Sequence, residues 1–243
     1  GYLMEQAMIS GSEQYPDRKF GIIDMVVDKP NVMSVTFKEH DGSFLVGVIA
    51  GLTTKSNVVG FVGGMDSPLI EKFEVGFRAG VASVNPNAKV LVNYTGAFDN
   101  LDKGKEIAIS LFKQKADVIY HASGGCGIGV IQAADENNFW AIGVDQDQSA
   151  VSKNNRVLCS MIKRVDVGTY TIVKSYADNN FAGGKAIELG LKEDGVGFSD
   201  GGNNVPAEVK AVADKAKELV INGTIVVPSS RKELESFKPV EIK

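Results

Sequence analysis

The stretch Asn57-Val-Val-Gly-Phe-Val62, Gly63-Gly-Met-Asp66, Ser67-Pro-Leu-Ile-Glu-Lys-Phe-Glu-Val-Gly-Phe77 decides the fold. Its first part is a short β-rich apolar run that reads as a buried strand, closed by two glycines. Ser67 is placed to cap a helix, Pro68 suits the first helical position, and Ile70, Phe73, Phe77, Val81 and Val84 fall on one face before Pro86 ends it. Strand, glycine turn and capped helix make one βα unit.

The same unit recurs on both sides. Phe20–Asp24 and Val32–Phe37 read as strands, and Ser43–Leu52 as a helix. Downstream, strands at Lys89–Tyr94, Asp117–His121, Phe139–Val144 and Arg156–Ile162 alternate with helices at about Asp102–Lys115, from about Gly127, and at Val165–Tyr176. After about Lys185 the pattern changes to short strands broken by glycines, followed by an amphipathic helix over Val205–Val220. Strands separated by helices of this length predict an α/β fold with parallel sheets covered on both faces. The rhythm falls into two blocks, as two similar lobes would give.

Composition removes several functions. The 243 residues carry a formal charge of −4 with both signs interspersed, so no basic face points to nucleic acid or to an electrostatic membrane contact. No run approaches the ~20 apolar residues of a membrane span. The opening Gly1-Tyr-Leu-Met4 is no signal-peptide n-region, and a start without Met is read as a truncated or processed chain. Cys126 and Cys159 have no metal-ligand or CxxC spacing, which favours buried thiols and leaves a disulfide open.

Ligands of open parallel sheets sit at the carboxyl ends of the strands. Those ends carry Asp24, the Gly63-Gly64-Met65-Asp66 turn, His121-Ala-Ser123-Gly124-Gly125 and Asp145-Gln-Asp147-Gln148. Glycines there admit a ligand close to backbone N–H groups, and carboxylates accept from hydroxyls. Turn-making and helix capping explain such residues equally well one at a time, but less readily all together.

Sharper motifs fail on spacing. Gly124-Gly-Cys-Gly-Ile-Gly129 lacks the dinucleotide fingerprint, and no Walker A sequence exists. Ser160-Met-Ile-Lys163 matches S-x-x-K, yet its serine sits in a strand and its K-T-G and S-D-N partners are missing. The isolated His40 and His121 build no metal site, and Asp145 and Asp147, alternate residues at a strand end, should face opposite sides. No cofactor, metal or catalytic set is expected.

The Phe61–Phe77 segment resembles the "FVGG…F-x-x-GF" signature of the basic membrane protein family, substrate-binding lipoproteins of the purine nucleoside receptor type. Collinear matches follow in Thr36-Phe-Lys-Glu39, Gly42–Gly47, Gly124–Val130, Ile142–Gln148, Ser160–Val165, Gly184-Lys185 and Gly190–Gly197. The resemblance implies two Rossmann-like lobes of type I periplasmic binding protein architecture. Lobe one is expected over 1–38 and 164–243 and lobe two over 39–163, with crossovers near Val32–Glu39 and Arg156–Arg164. The family's Asp-x-Gly-Gly turn and Ser-Phe pair are not in this sequence, which implies that about two N-terminal βα units of lobe one are missing.

The resemblance also implies a purine-type nucleoside as ligand, captured by lobe closure without chemistry. It gives Lys163 the role of donor to ribose hydroxyls and Asp145 that of acceptor, with His121, Ser123, Gly124 and Gly125 covering the ligand. Tyr2 and Gln6 lie in Gly1-Tyr-Leu-Met-Glu-Gln-Ala7, where Gln6 replaces an acid that the family often uses toward the base. Asp24, Gly64 and Met65 complete the expected contacts. The expected partners are ABC permease subunits, and the expected location is extracytoplasmic, through a lipid anchor outside this sequence. A ligand-sensing regulatory module on the same lobes is the alternative, and a nucleoside-processing enzyme is a third reading that lacks a catalytic set.

Overall fold

The structure, a computed structural model, describes residues 1–240 and 242. The chain opens with a 3-10 turn (Tyr2–Met4), α1 (Glu5–Gln14), β1 (Phe20–Ile23) and β2 (Val32–Phe37). Next come α2 (Glu39–Thr53), β3 (Val58–Gly63), α3 (Pro68–Val84), β4 (Lys89–Tyr94), α4 (Leu101–Lys113) and β5 (Val118–Ala122). Then follow α5 (Cys126–Asn137), β6 (Trp140–Asp145), a 3-10 turn (Ser149–Val151) and β7 (Val157–Lys163). The last elements are α6 (Val165–Ala177), β8 (Lys185–Leu189), β9 (Val196–Ser199), α7 (Ala207–Ile221) and α8 (Arg231–Ser236).

These elements form two compact units. Unit 1 comprises Gly1–Lys38 and Arg164–Val196; unit 2 comprises Glu39–Lys163 and Gly197–Lys243. The expected division placed all of 164–243 in lobe one, and the structure corrects its C-terminal part. β9 hydrogen-bonds at the edge of the unit 2 sheet beside β7, and α7 packs against α2. An amphipathic helix signals that one of its faces is buried, not which sheet buries it.

Unit 1 holds a three-stranded sheet in the order β1-β2-β8, parallel throughout, with Phe20 opposite Val32 and Met33 opposite Lys185. Met8 and Ile9 of α1 pack with Phe20, Ile22, Met25, Val27 and Val32. α6 approaches the sheet through Gly168, where an added Cβ would sit 3.2 Å from Ile23, Val35 and Phe37.

Unit 2 is built on a six-stranded sheet in the order β4-β3-β5-β6-β7-β9, parallel in the β3–β4, β3–β5, β5–β6 and β6–β7 pairs. β5 is buried along its whole length, as a central parallel strand covered on both faces must be. On one face Leu111 of α4 and Val130, Ile131 and Ala134 of α5 pack with Ile119 and Phe139. On the other lie α2 and α3, where Phe61, Phe77 and Tyr120 meet at ring separations of 5.2–6.4 Å.

α3 starts as its sequence dictates: Ser67 Oγ accepts from Ile70 N and Pro68 takes the first position. α2 begins at Glu39, earlier than its apolar pattern suggested, with Glu39 and Asp41 in its first turn. It is apolar nearly all round, and Phe44, Leu45, Val46, Val48 and Ile49 are fully buried. Its partner α3 touches it through glycines. A Cβ on Gly47 would collide with Phe77 O, one on Gly80 with Phe44 O, and one on Gly76 with His40 O.

Because backbone stands where a side chain would go, Gly80→Ala is expected to destabilise the protein by about 2–3 kcal/mol through overpacking. Urea unfolding of this variant measures the loss, with Gly197→Ala, where a Cβ meets nothing within 4 Å, as the control. Equal stability of the two variants would contradict the packing described.

Candidate functional site

At the carboxyl end of the unit 2 sheet, β6 finishes at Asp145 beside Ile162 of β7, and Lys163 follows on that neighbouring strand. Lys163 Nζ lies 3.5 Å from Asp145 Oδ1; the lysine side chain is 7% exposed and the aspartate 49%. The ammonium also stands 5.6 Å from the centre of the Phe73 ring on α3, a cation–π contact. A carboxylate that accepts and an ammonium that donates are thus presented side by side, one half open and one recessed. Phe73 is read from the sequence only as a core position, so its place under Lys163 is a finding of the structure.

Asp147 points elsewhere. Its carboxylate accepts from Ser149 N at 2.8 Å and from Ser199 Oγ. Burial pushes its pKa up, but those hydrogen bonds outweigh burial and hold it below the usual carboxylate range. Among the described residues, no group of His, Cys, Asp and Glu side chains is arranged to hold a metal ion. Cys126 and Cys159 are both free and buried, and burial pushes the Cys159 thiol well up.

The β5 end departs from the picture of a flat cover. The His121 ring is fully buried, with Nε2 2.9 Å from Gln148 Oε1, and burial pushes its pKa down to about 4. Ser123 is fully buried too, and its hydroxyl has no hydrogen-bond partner among the described residues. Gly124 adopts φ 55°, and Gly125 N donates to Phe98 O at 2.7 Å. The Phe98 ring fills the space where Gly64 would carry a Cβ, and it lies against the Gly124 position as well. Gly64 N donates to Ala122 O, which ties the β3 and β5 ends together, and Met65 beside it is half-buried. The structure therefore gathers Gly64, Met65, Ser123, Gly124, Gly125, Asp145 and Lys163 at one end of one sheet, with His121 in the interior of the same unit.

The remaining candidates belong to unit 1. Asp24 follows β1 at φ 73° and is half-buried. Gly11 packs by Phe20 at the start of β1 while Met8 joins the cluster around Ile22 and Met25, so α1 runs back along β1. Its first turn therefore lies at the end where β1 finishes, with half-buried Tyr2 just before it and exposed Gln6 within it.

Comparison with known proteins gives this arrangement a family. The family described as ABC transporter substrate-binding protein, PnrA-like, matches residues 1–231. The chain belongs to it. A Listeria monocytogenes relative, a CD4+ T-cell-stimulating antigen, is 43% identical over 244 residues, covering 94% of this chain and 68% of the relative. The Lactococcus lactis ABC transporter nucleoside-binding protein BmpA is 37% identical over 246 residues, covering 94% and 70%. A solved Aeropyrum pernix solute-binding protein of an ABC transporter system superimposes with a TM-score of 0.83 at 26% identity, covering 97% of this chain and 78% of that one. No helix among the described residues of this PnrA-like protein is long and apolar enough to cross a membrane.

The family match ends at Arg231, the residue that ties down the turn after β3. Its guanidinium donates to Glu74 Oε2 at 2.8 Å, Asp66 Oδ1 at 2.9 Å and the Tyr94 hydroxyl at 2.8 Å. Glu74, 3% exposed, also accepts from Arg78 and from Tyr94. Burial raises the Glu74 pKa, but the hydrogen bonds from Arg231, Tyr94 and Arg78 prevail and hold it below its ordinary 4.5. The stability this carboxylate contributes is complete above that ordinary value and is lost as the pH falls through the lower native one. Arg231→Met should cost about 1–2 kcal/mol near neutrality and make the loss of stability in acid shallower, read from urea melts between about pH 7 and pH 3. An unchanged acid limb would exclude the coupling.

Proposed function

We propose that this protein captures a nucleoside, of the purine type, and hands it intact to the permease subunits of an ABC importer. The observation that carries the reading is the Asp145–Lys163 pair, 3.5 Å apart on adjacent strand ends. A vicinal diol has hydroxyls that both donate and accept, so the carboxylate takes hydrogen bonds from the ribose while the ammonium gives them. The ligand class draws support from family membership and from the nucleoside-binding relative in Lactococcus lactis.

In this reading the close-packed backbone at Gly64, Gly124 and Gly125, with Met65 and Ser123, surrounds the sugar end. Asp24, Tyr2 and Gln6 of unit 1 supply further contacts, and the Gln6 amide suits a base edge because it both donates and accepts. Capture by lobe closure, an extracytoplasmic location and a lipid anchor on preceding chain are parts of the same reading. Binding without turnover is favoured because the buried thiols and the enclosed, low-pKa His121 are poorly suited to nucleophilic or general-base work.

Calorimetric titration with a purine ribonucleoside tests the pair. Asp145→Asn and Lys163→Met should each weaken binding by about 2 kcal/mol, roughly thirtyfold. A 2′,3′-dideoxynucleoside, which lacks the diol, should bind the wild type weakly and be little affected by either change. Wild-type affinity in both variants would overturn the site.

A further inference from the structure

The residues that hold Asp145 in place are not themselves at the surface. Asp145 has φ 67°, and Gln146 N donates back to Val144 O at 2.8 Å, so the aspartate sits at the centre of a three-residue turn of the left-handed sense. Such a turn is strained for any residue with a side chain, and it persists only where its surroundings fix it.

Those surroundings are a buried polar knot drawn from β5, β6, β7 and the loop between the last two. Gln148 Oε1 accepts from Val144 N at 2.9 Å, on the strand residue just before Asp145. The same oxygen lies 2.9 Å from His121 Nε2, and Gln148 N donates to Ser160 Oγ at 3.0 Å. Gly143 leaves room for the knot: a Cβ there would lie 2.6 Å from Ser160 Oγ and 2.7 Å from Gln148 Oε1. Gln148 is 9% exposed, Ser160 1% and His121 not at all.

The bonding settles the histidine's proton. A backbone N–H can only donate, so the Gln148 atom facing Val144 is an acceptor, and His121 must donate to it through Nε2–H. Full burial, with no partner for Nδ1 among the described residues, keeps the ring neutral, so that Nδ1 is the bare nitrogen. A polar group left unmatched in the interior is costly, and it is kept here together with a strained aspartate.

We infer that Gln148, set by His121 and Ser160, is a positioning residue that presents the Asp145 carboxylate to the ligand without touching it. This inference rests on the assignment of Asp145 as a ligand contact. Its functional content is selectivity: the knot fixes the acceptor geometry that separates a ribonucleoside from a sugar lacking the diol.

The test is a double-mutant cycle read by calorimetry, with a purine ribonucleoside and its 2′,3′-dideoxy analogue as probes. Gln148→Met, which removes the accepting oxygen, is expected to weaken ribonucleoside binding about tenfold and the dideoxy analogue little. Gln148→Glu keeps an acceptor for both donors and should stay within about threefold of wild type. In the Asp145→Asn background, Gln148→Met should cost nothing further, because its effect passes through Asp145. Nitrogen-15 shifts of the His121 ring should report the Nε2–H form in wild type and lose that signature in Gln148→Met. Should Gln148→Met fail to fold, Ser160→Ala, which removes only the acceptor for Gln148 N, takes its place in the cycle. Additive losses, or equal losses for both probes, would overturn the positioning role alone; unchanged affinity in Asp145→Asn would overturn the site and this inference with it.

Discussion

Helices α2 and α3 meet through glycines, with Gly47 and Gly51 of one against the backbone of Phe77, Gly80 and Val81 of the other. That close approach fixes more than two helices. α3 begins immediately after the turn that ends β3, carries Phe73 beneath the Lys163 ammonium and sends Glu74 to Arg231. The Ser43 hydroxyl of α2 lies 3.1 Å from that of Tyr120 on β5, one residue before His121. A separation wider by one methyl group would therefore be felt at strand ends that the glycines never touch.

Charge and burial are distributed with economy at that end of unit 2. His121, Gln148 and Ser160 are buried and neutral, and they are joined by contacts of 2.9 and 3.0 Å, with His121 Nδ1 left over. Charges stand nearer the rim, where Asp145 is half exposed and Asp147 is tied to Ser149 and Ser199. Burying an ion without partners costs far more than burying an amide with them, so an interior built of amide, imidazole and hydroxyl is the cheaper way to hold a charged group in a set direction. Two buried charges have partners: Lys163 is recessed between an aromatic ring and a carboxylate, and Glu74 accepts from Arg231, Arg78 and Tyr94.

Much of this was legible in the sequence. The βα rhythm, the Ser67-Pro68 helix start and, to within one residue, the strand ends at Gly63, Ala122 and Asp145 follow from local periodicity and turn chemistry, which need only neighbouring residues. What escaped was non-local. α1 has few apolar residues and drew no helix assignment, yet it packs Met8 and Ile9 on β1. The family resemblance implies that 164–243 continue lobe one, whereas 197–243 group with unit 2, and periodicity does not say which sheet a strand joins. His121 could not be told from a ligand-facing residue, since every position of β5 is buried and the strand shows no alternation. Gln148 stands in the sequence as one polar residue of a strand-end motif, and its role is not legible there because its partners lie on three different strands.

Asp24 and Asp145 share a backbone feature that side chains rarely adopt. Each follows or closes a parallel strand, one in each unit, and each is wound into the left-handed region, at φ 73° and 67°. Glycine would relax the backbone at both positions, so an aspartate there surrenders stability in exchange for a carboxylate. At both positions backbone ease and the presence of a carboxylate therefore pull in opposite directions, and a change to glycine would relieve the first by giving up the second.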